Sequence, residues 1–216
     1  MHAEDIEGAA EAMYRAAGLD PREGASPLAL AHGLLGPGSV QSVHAASLPG
    51  DGALVWERGE AQIHVRAKLS PQRRRWAICH ELAEWCLTLA RYESDDREQI
   101  SDALAAALLA PRQHFLRVLR ADGRRLPALA RRLVTTESFV ALRLGETTDE
   151  PLALIAPSRP VRVRGAEFRW PSEEQIRAMA AGRPLLPGLA RTRLRDDPRR
   201  VVLSACASDG VARRLP

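Results

Sequence analysis

Two neighbouring stretches, 70–89 and 96–111, are apolar at helical spacing yet carry His80, Glu81, Glu84, Glu98 and Asp102 among those apolar residues. Ser70-Pro71 opens the first, a serine cap followed by a proline at the first helical position. Ile78, Leu82, Trp85 and Leu89 then form one face, with Cys79, Ala83 and Cys86 beside it. Ile100, Ala103, Leu104, Ala107 and Leu108 make the inner face of the second, a helix expected from about Asp96 to Leu109. His80, Glu81, Glu84, Glu98 and Asp102 sit within the same two segments. Burying an unpaired charge is costly, so five such groups on two greasy neighbouring helices need a common partner.

The spacing of the first three says what that partner can be. His80 and Glu84, four apart, lie one turn above each other on one helix face and can grip one ion. Glu81 is rotated about 100° from His80, within reach of a water on that ion without being its ligand. This is the mechanical content of the His-Glu-x-x-His zinc-hydrolase motif, with two ligands one turn apart and a glutamate as general base. Here Glu84 stands where the second histidine would be. Glu98 is the candidate third ligand, and Asp102, one turn on, can orient His80 through its other ring nitrogen. The residues also allow a blander arrangement, in which Glu81 and Glu84 face solvent or pair with Arg73, Arg74 and Arg75. His114 is a further source of an imidazole if the helix after Pro111 folds back.

The rest of the chain supplies a frame. Ile6, Ala9, Ala10, Met13 and Tyr14 predict a helix that Gly18 and Pro21 end, and Ser26-Pro27 opens a short second one. A short strand is expected around Val40 to Val43. Leu54-Val55-Trp56 and Ile63-His64-Val65 flank Arg58-Gly59 and predict a β-hairpin, with Ile63–Val65 as a possible edge strand for an extended peptide. Leu126 to Gly145 reads as two short helices around a Thr135-Thr136 cap. Strand-like runs follow at Leu152 to Ile155, Val161 to Val163 and Val201 to Cys206, with a polar helix at Ser172 to Ala180. A hairpin, then helices, then strands suggests an α+β fold.

Of the 216 residues 45% are hydrophobic and 27% charged, which excludes a disordered or collagen-like chain. The net charge of +4 is small and spread along the chain, so it does not by itself argue for nucleic acid. Met1-His2-Ala3-Glu4-Asp5 has no apolar run, so no signal peptide is expected, and the longest apolar stretch, Ala103 to Pro111, is too short to cross a bilayer. Cys79, Cys86 and Cys206 are odd in number and read as core residues, pointing to a reducing cytoplasm.

Two blocks carry a resemblance. Arg75-Trp76-Ala77-Ile78-Cys79-His80-Glu81-Leu82-Ala83-Glu84 resembles the Arg-Phe-x-x-Ala-His-Glu-Leu-Gly-His block of ImmA/IrrE-type metallo-endopeptidases. Glu98-x-x-Ser101-Asp102-x-Leu104-Ala105-Ala106-x-Leu108-Leu109-Ala110-Pro111 is similar to that family's Glu-x-x-Ala-Asn-x-Phe-Ala-Ala-x-Leu-Leu-Met-Pro block. The resemblance implies a zincin-like α+β fold over residues 1–122, with a small antiparallel or mixed sheet packed on the active-site helix. A helix-turn-helix-like pair would follow at 123–149, then a small α/β extension at 150–216. It implies His80, Glu84 and Glu98 as metal ligands, Glu81 as catalytic base, and Asp102 outside the ligand set. Zinc is the expected metal, with Mn or Fe suited to oxygen-rich coordination. The implied substrate is a helix-turn-helix repressor cut in the cytoplasm. The alternative is an inactive member that binds a partner protein or DNA, where Arg131, Arg132 and Arg143 could meet phosphates.

Overall fold

The computed structural model describes residues 3–44, 48–148, 152–155, 162–164, 172–181, 183, 185, 189–195 and 199–205. The chain divides into two compact units, Met1–Gly123 with Arg132–Thr135, and Arg124–Arg131 with Thr136–Pro216. The stretch 123–149, expected as a helical pair of its own, is shared out between them. The architecture is α+β.

The first unit runs α1 (Ala3–Ala16), α2 (Pro27–Leu35), β1 (Val40–Val43), β2 (Gly52–Glu57), β3 (Glu60–Arg66), α3 (Pro71–Leu89), α4 (Arg97–Leu109) and α5 (Arg112–Asp122). Its sheet has the order β1-β3-β2, with β1 parallel and β2 antiparallel to β3. The hairpin turns on Arg58 and Gly59, whose φ angles of 54° and 88° are the pair of positive values that a two-residue type I′ turn requires. Ala61, Ile63 and Val65 alternate into the core. Since β3 is the central strand, Ile63–Val65 is not the sheet's edge, and His64 stands 3.6 Å from Glu57. The open edges belong to β1 and β2.

Helix α3 is opened by Ser70, whose hydroxyl accepts the Arg73 N–H at 3.3 Å. It packs against α4 and lies on β2 and β3. Its buried face is Ala77, Ile78, Cys79, Leu82, Ala83 and Leu87. Leu89, expected inside, is 58% exposed, the last turn burying Leu87 instead, and Trp85 is only half-buried. From α1, the fully buried Tyr14 donates to the Leu108 carbonyl at 2.8 Å and so pins α1 to α4.

The second unit contains most of α6 (Leu126–Leu133), then α7 (Glu137–Thr147), β4 (Leu152–Ile155), β5 (Arg162–Arg164), α8 (Glu173–Ala181), β6 (Leu189–Arg193) and β7 (Val201–Ala205). Thr136 caps α7 by accepting the Phe139 N–H at 3.1 Å. The sheet is antiparallel, in the order β5-β4-β7-β6. Ala153, Ile155, Val201 and Leu203 face Ile176, Met179 and Ala180 of α8. Leu152, Leu154 and Val202 are buried too, so both faces of the central strands are covered. Val161 and Cys206, expected in strands, lie outside the described residues. No described helix is long and apolar enough to cross a membrane.

Candidate metal centre

The pairing of α3 with α4 turns the polar residues of both helices toward one another. His80, on α3, lies between two carboxylates that are themselves one turn apart on α4. Its Nε2 is 3.8 Å from Glu98 Oε1, and its Nδ1 is 3.3 Å from Asp102 Oδ1. The His80, Glu98 and Asp102 donor atoms all fall within 4.8 Å of one another. The imidazole is largely covered and both carboxylates are more open, Glu98 most of all. The hydrogen bond with Asp102 raises the His80 pKa against the opposing effect of burial, and the charges of Glu81, Glu98 and Asp102 push it the same way.

Glu81 is buried, at 8% exposure. Burial lifts its carboxyl above the ordinary carboxylate range, while His80 and a hydrogen bond from the Leu54 N–H pull it back. That bond joins Glu81 to the open edge of β2. The approach is close: a Cβ on Gly52 would sit 3.0 Å from Glu81 Oε1 and 3.1 Å from its Cγ, so the carboxylate would have to give way by a few tenths of an ångström. The glycine at the start of β2 therefore lets the strand meet the carboxylate.

Glu84, expected among the ligands, is held elsewhere. Arg97 Nε and one terminal nitrogen donate to Glu84 Oε2 at 3.0 and 2.8 Å. The same guanidinium reaches the Tyr92 carbonyl at 2.6 Å and Thr88 Oγ1 at 2.9 Å. Arg97 opens α4 next to Glu98, so the pair clamps the start of α4 onto α3. Asp102, in turn, stands as a donor beside His80 and Glu98. The arginines before the motif are engaged differently: Arg73 pairs with Asp51 through two 2.8 Å bonds, and Arg74 donates to Ser42 at 2.7 Å. His114 does not join the group. Its Nδ1 lies 3.4 Å from the Arg22 carbonyl and 3.4 Å from an Arg117 nitrogen. Burial pushes the Cys79 thiol up to about 12 and raises that of Cys86, and neither stands in the donor group of His80, Glu98 and Asp102.

One imidazole and two carboxylates suit a divalent cation chemically: nitrogen and oxygen donors of this kind bind zinc, and the oxygen-rich set also accommodates Mn or Fe. Sequence reasoning did not find the Arg97 clamp or the Gly52 and Leu54 contacts to Glu81. The signal for the first was a cation directly preceding Glu98.

Residues 41–145 match the family model described as the IrrE N-terminal-like domain, a metallopeptidase family. No curated protein matches the chain in sequence. Among solved structures it is similar to a Mycobacterium tuberculosis transcriptional regulator, at 16% identity and a TM-score of 0.62 over 98% of this chain and 94% of that one. At that identity the likeness is one of fold. The matched segment, just under half of the chain, runs from within β1 to within α7 and includes His80, Glu81, Glu84, Glu98 and Asp102, so it is this stretch that matches the IrrE N-terminal-like domain.

Proposed function

We propose that this chain is a metal-dependent endopeptidase acting on a protein partner, with Glu81 as general base. The observation that carries the reading is the convergence of His80, Glu98 and Asp102 within 4.8 Å, one residue along α3 from a buried glutamate. These three side chains would hold the ion, and Glu84 could join them only by giving up Arg97. Zinc fits the set, as do Mn and Fe. When bound, such an ion supplies a Lewis acid that polarises a carbonyl and acidifies water.

The chain's own residues supply the remainder. Glu81, with its pKa raised by burial, takes a proton from the attacking water and returns it to the leaving amine. Leu54 N–H holds its carboxylate at the edge of β2. A peptide adding to that edge as a further strand would bring its backbone past Glu81. The resemblance to repressor-cleaving relatives makes a helix-turn-helix regulator the substrate of choice.

One observation favours a second reading, a regulator that binds its partner without cutting it. Glu84 is neutralised by Arg97, which leaves a single imidazole and no donor at the second motif position. Metal content and cleavage separate the two. Purified protein with about one divalent ion per chain, cutting a co-expressed repressor in a Glu81-dependent way, supports the peptidase. Protein without stoichiometric metal that still binds the repressor supports the regulator.

A further inference from the structure

The second unit contains a cavity that the peptidase reading does not use. It has a volume of about 530 Å³, the size of a small-molecule site. Arg124 and Arg125, just before α6, Arg131 within it, Arg193 at the end of β6 and Arg195 just past it all line the cavity. The floor is apolar, made by Leu144, Leu152 and Val202, all buried. Glu137 is the one carboxylate in the lining, and it is occupied in accepting the Arg195 backbone N–H at 2.7 Å. Five arginines thus line a cavity whose one carboxylate is already engaged. Among the described residues Arg125, Arg131 and Arg193 have no carboxylate partner.

Like charges do not gather around a hollow without cost, and a guanidinium fork matches carboxylate and phosphate oxygens in geometry as well as charge. We infer that this cavity binds a small organic anion, its carboxylate or phosphate held by the arginines and its apolar body on the leucine and valine floor. A nucleic-acid backbone is the less suitable occupant, because the arginines surround a concavity rather than line a ridge that a duplex could follow.

Calorimetric titration of the full chain tests this with octanoate, octyl phosphate and ATP, against the uncharged 1-octanol and adenosine. Saturable binding of at least one anion, and of neither uncharged compound, is expected. Arg125→Glu and Arg193→Glu should each weaken it at least about ten-fold, one reversed charge at a bidentate contact being worth that or more. Lys68→Glu, the same charge change on an exposed residue of the first unit, should leave it unaltered. Both arginines are exposed, so the variants should keep the parent's circular dichroism; if either does not, Arg125→Gln and Arg193→Gln take their place. Absence of saturable binding for all three anions up to about 1 mM overturns the inference, since two or more guanidinium contacts should exceed that affinity. Equal weakening by Lys68→Glu also overturns it. So does loss of duplex DNA binding in the arginine variants with no small anion bound, which would assign the surface to nucleic acid.

Discussion

His80 and Glu84 stand one turn apart on the same helix, and both reach toward the first turns of α4, yet their surroundings are opposites. Glu84 meets a guanidinium whose donors are taken up by its own carboxylate, the Tyr92 carbonyl and Thr88. That cluster is closed in charge and in hydrogen bonds. His80 meets Glu98 and Asp102, with Glu81 at the next position, so negative charge outnumbers the single imidazole. A closed cluster holds two helices together; an open acidic one retains an appetite for a cation. The difference separates a clamp from a site, although sequence spacing alone makes the two residues equivalent.

Metal content is the most direct way to break this distinction. His80→Ala and Glu98→Ala should each reduce bound divalent metal from about one per chain to near none, a loss of at least 100-fold in affinity, since removing a ligand exceeds the 10–100-fold typical of its supporting partners. Glu84→Ala should leave metal bound within a few-fold. If Glu84→Ala empties the site as fully as His80→Ala, the Arg97 pairing is not the state that binds metal, and Glu84 is a ligand after all. Metal analysis of the purified variants decides it.

For catalysis the contrast lies between losing the base and losing the ion. Glu81→Gln should lower peptide cleavage by about 10²–10⁴-fold with metal content unchanged. Gly52→Ala should act more mildly in the same direction, because the new methyl at 3.0 Å from Glu81 Oε1 forces the carboxylate or the strand aside. A cleavage assay on both variants, alongside metal analysis, checks the pair. Unaltered cleavage in Glu81→Gln would remove the general-base assignment.

The clamp itself predicts a stability effect rather than a chemical one. Glu84→Ala leaves Arg97 half-buried without its carboxylate and should cost about 1–2 kcal/mol. Arg97→Ala should cost a similar amount, and a double-mutant cycle by urea unfolding should give a coupling of about 1 kcal/mol. A coupling near zero would mean that the ion pair holds nothing.

The same contrast marks where sequence reasoning reaches and where it stops. Helices α3 and α4 were legible because Ser70-Pro71 caps the first and both carry apolar residues at helical spacing; the hairpin was legible from Arg58-Gly59. His80 beside Glu98 and Asp102 followed from two i, i+4 rows on neighbouring helices. Arg97 showed only as a cation directly preceding Glu98, since a salt bridge thirteen residues from its partner leaves no periodic trace. Gly52 was silent, being one glycine in a loop-like stretch until a strand is laid against Glu81. Strand β6 was missed because Leu189-Ala190-Arg191-Thr192-Arg193 is a basic edge strand with little apolar alternation to betray it. Local patterns are written in the sequence, whereas the choice among tertiary partners is made only on packing.

A second histidine sharpens the comparison at the small end of the scale. His114 lies against the Arg22 carbonyl, with Arg117, Glu23 and Arg132 around it, and burial lowers its pKa from 6.5, the reverse of His80. In the folded chain its ring resists protonation, while in the unfolded chain it takes a proton freely. Its contribution to stability is therefore complete above pH 6.5 and is lost as pH falls through the lowered folded value. His114→Gln should make the loss of stability between about pH 7 and 5 shallower, read from urea midpoints at the two pH values. Gln keeps a polar group near Arg22 but cannot titrate, so an unchanged slope would show that some other group carries that part of the acid response.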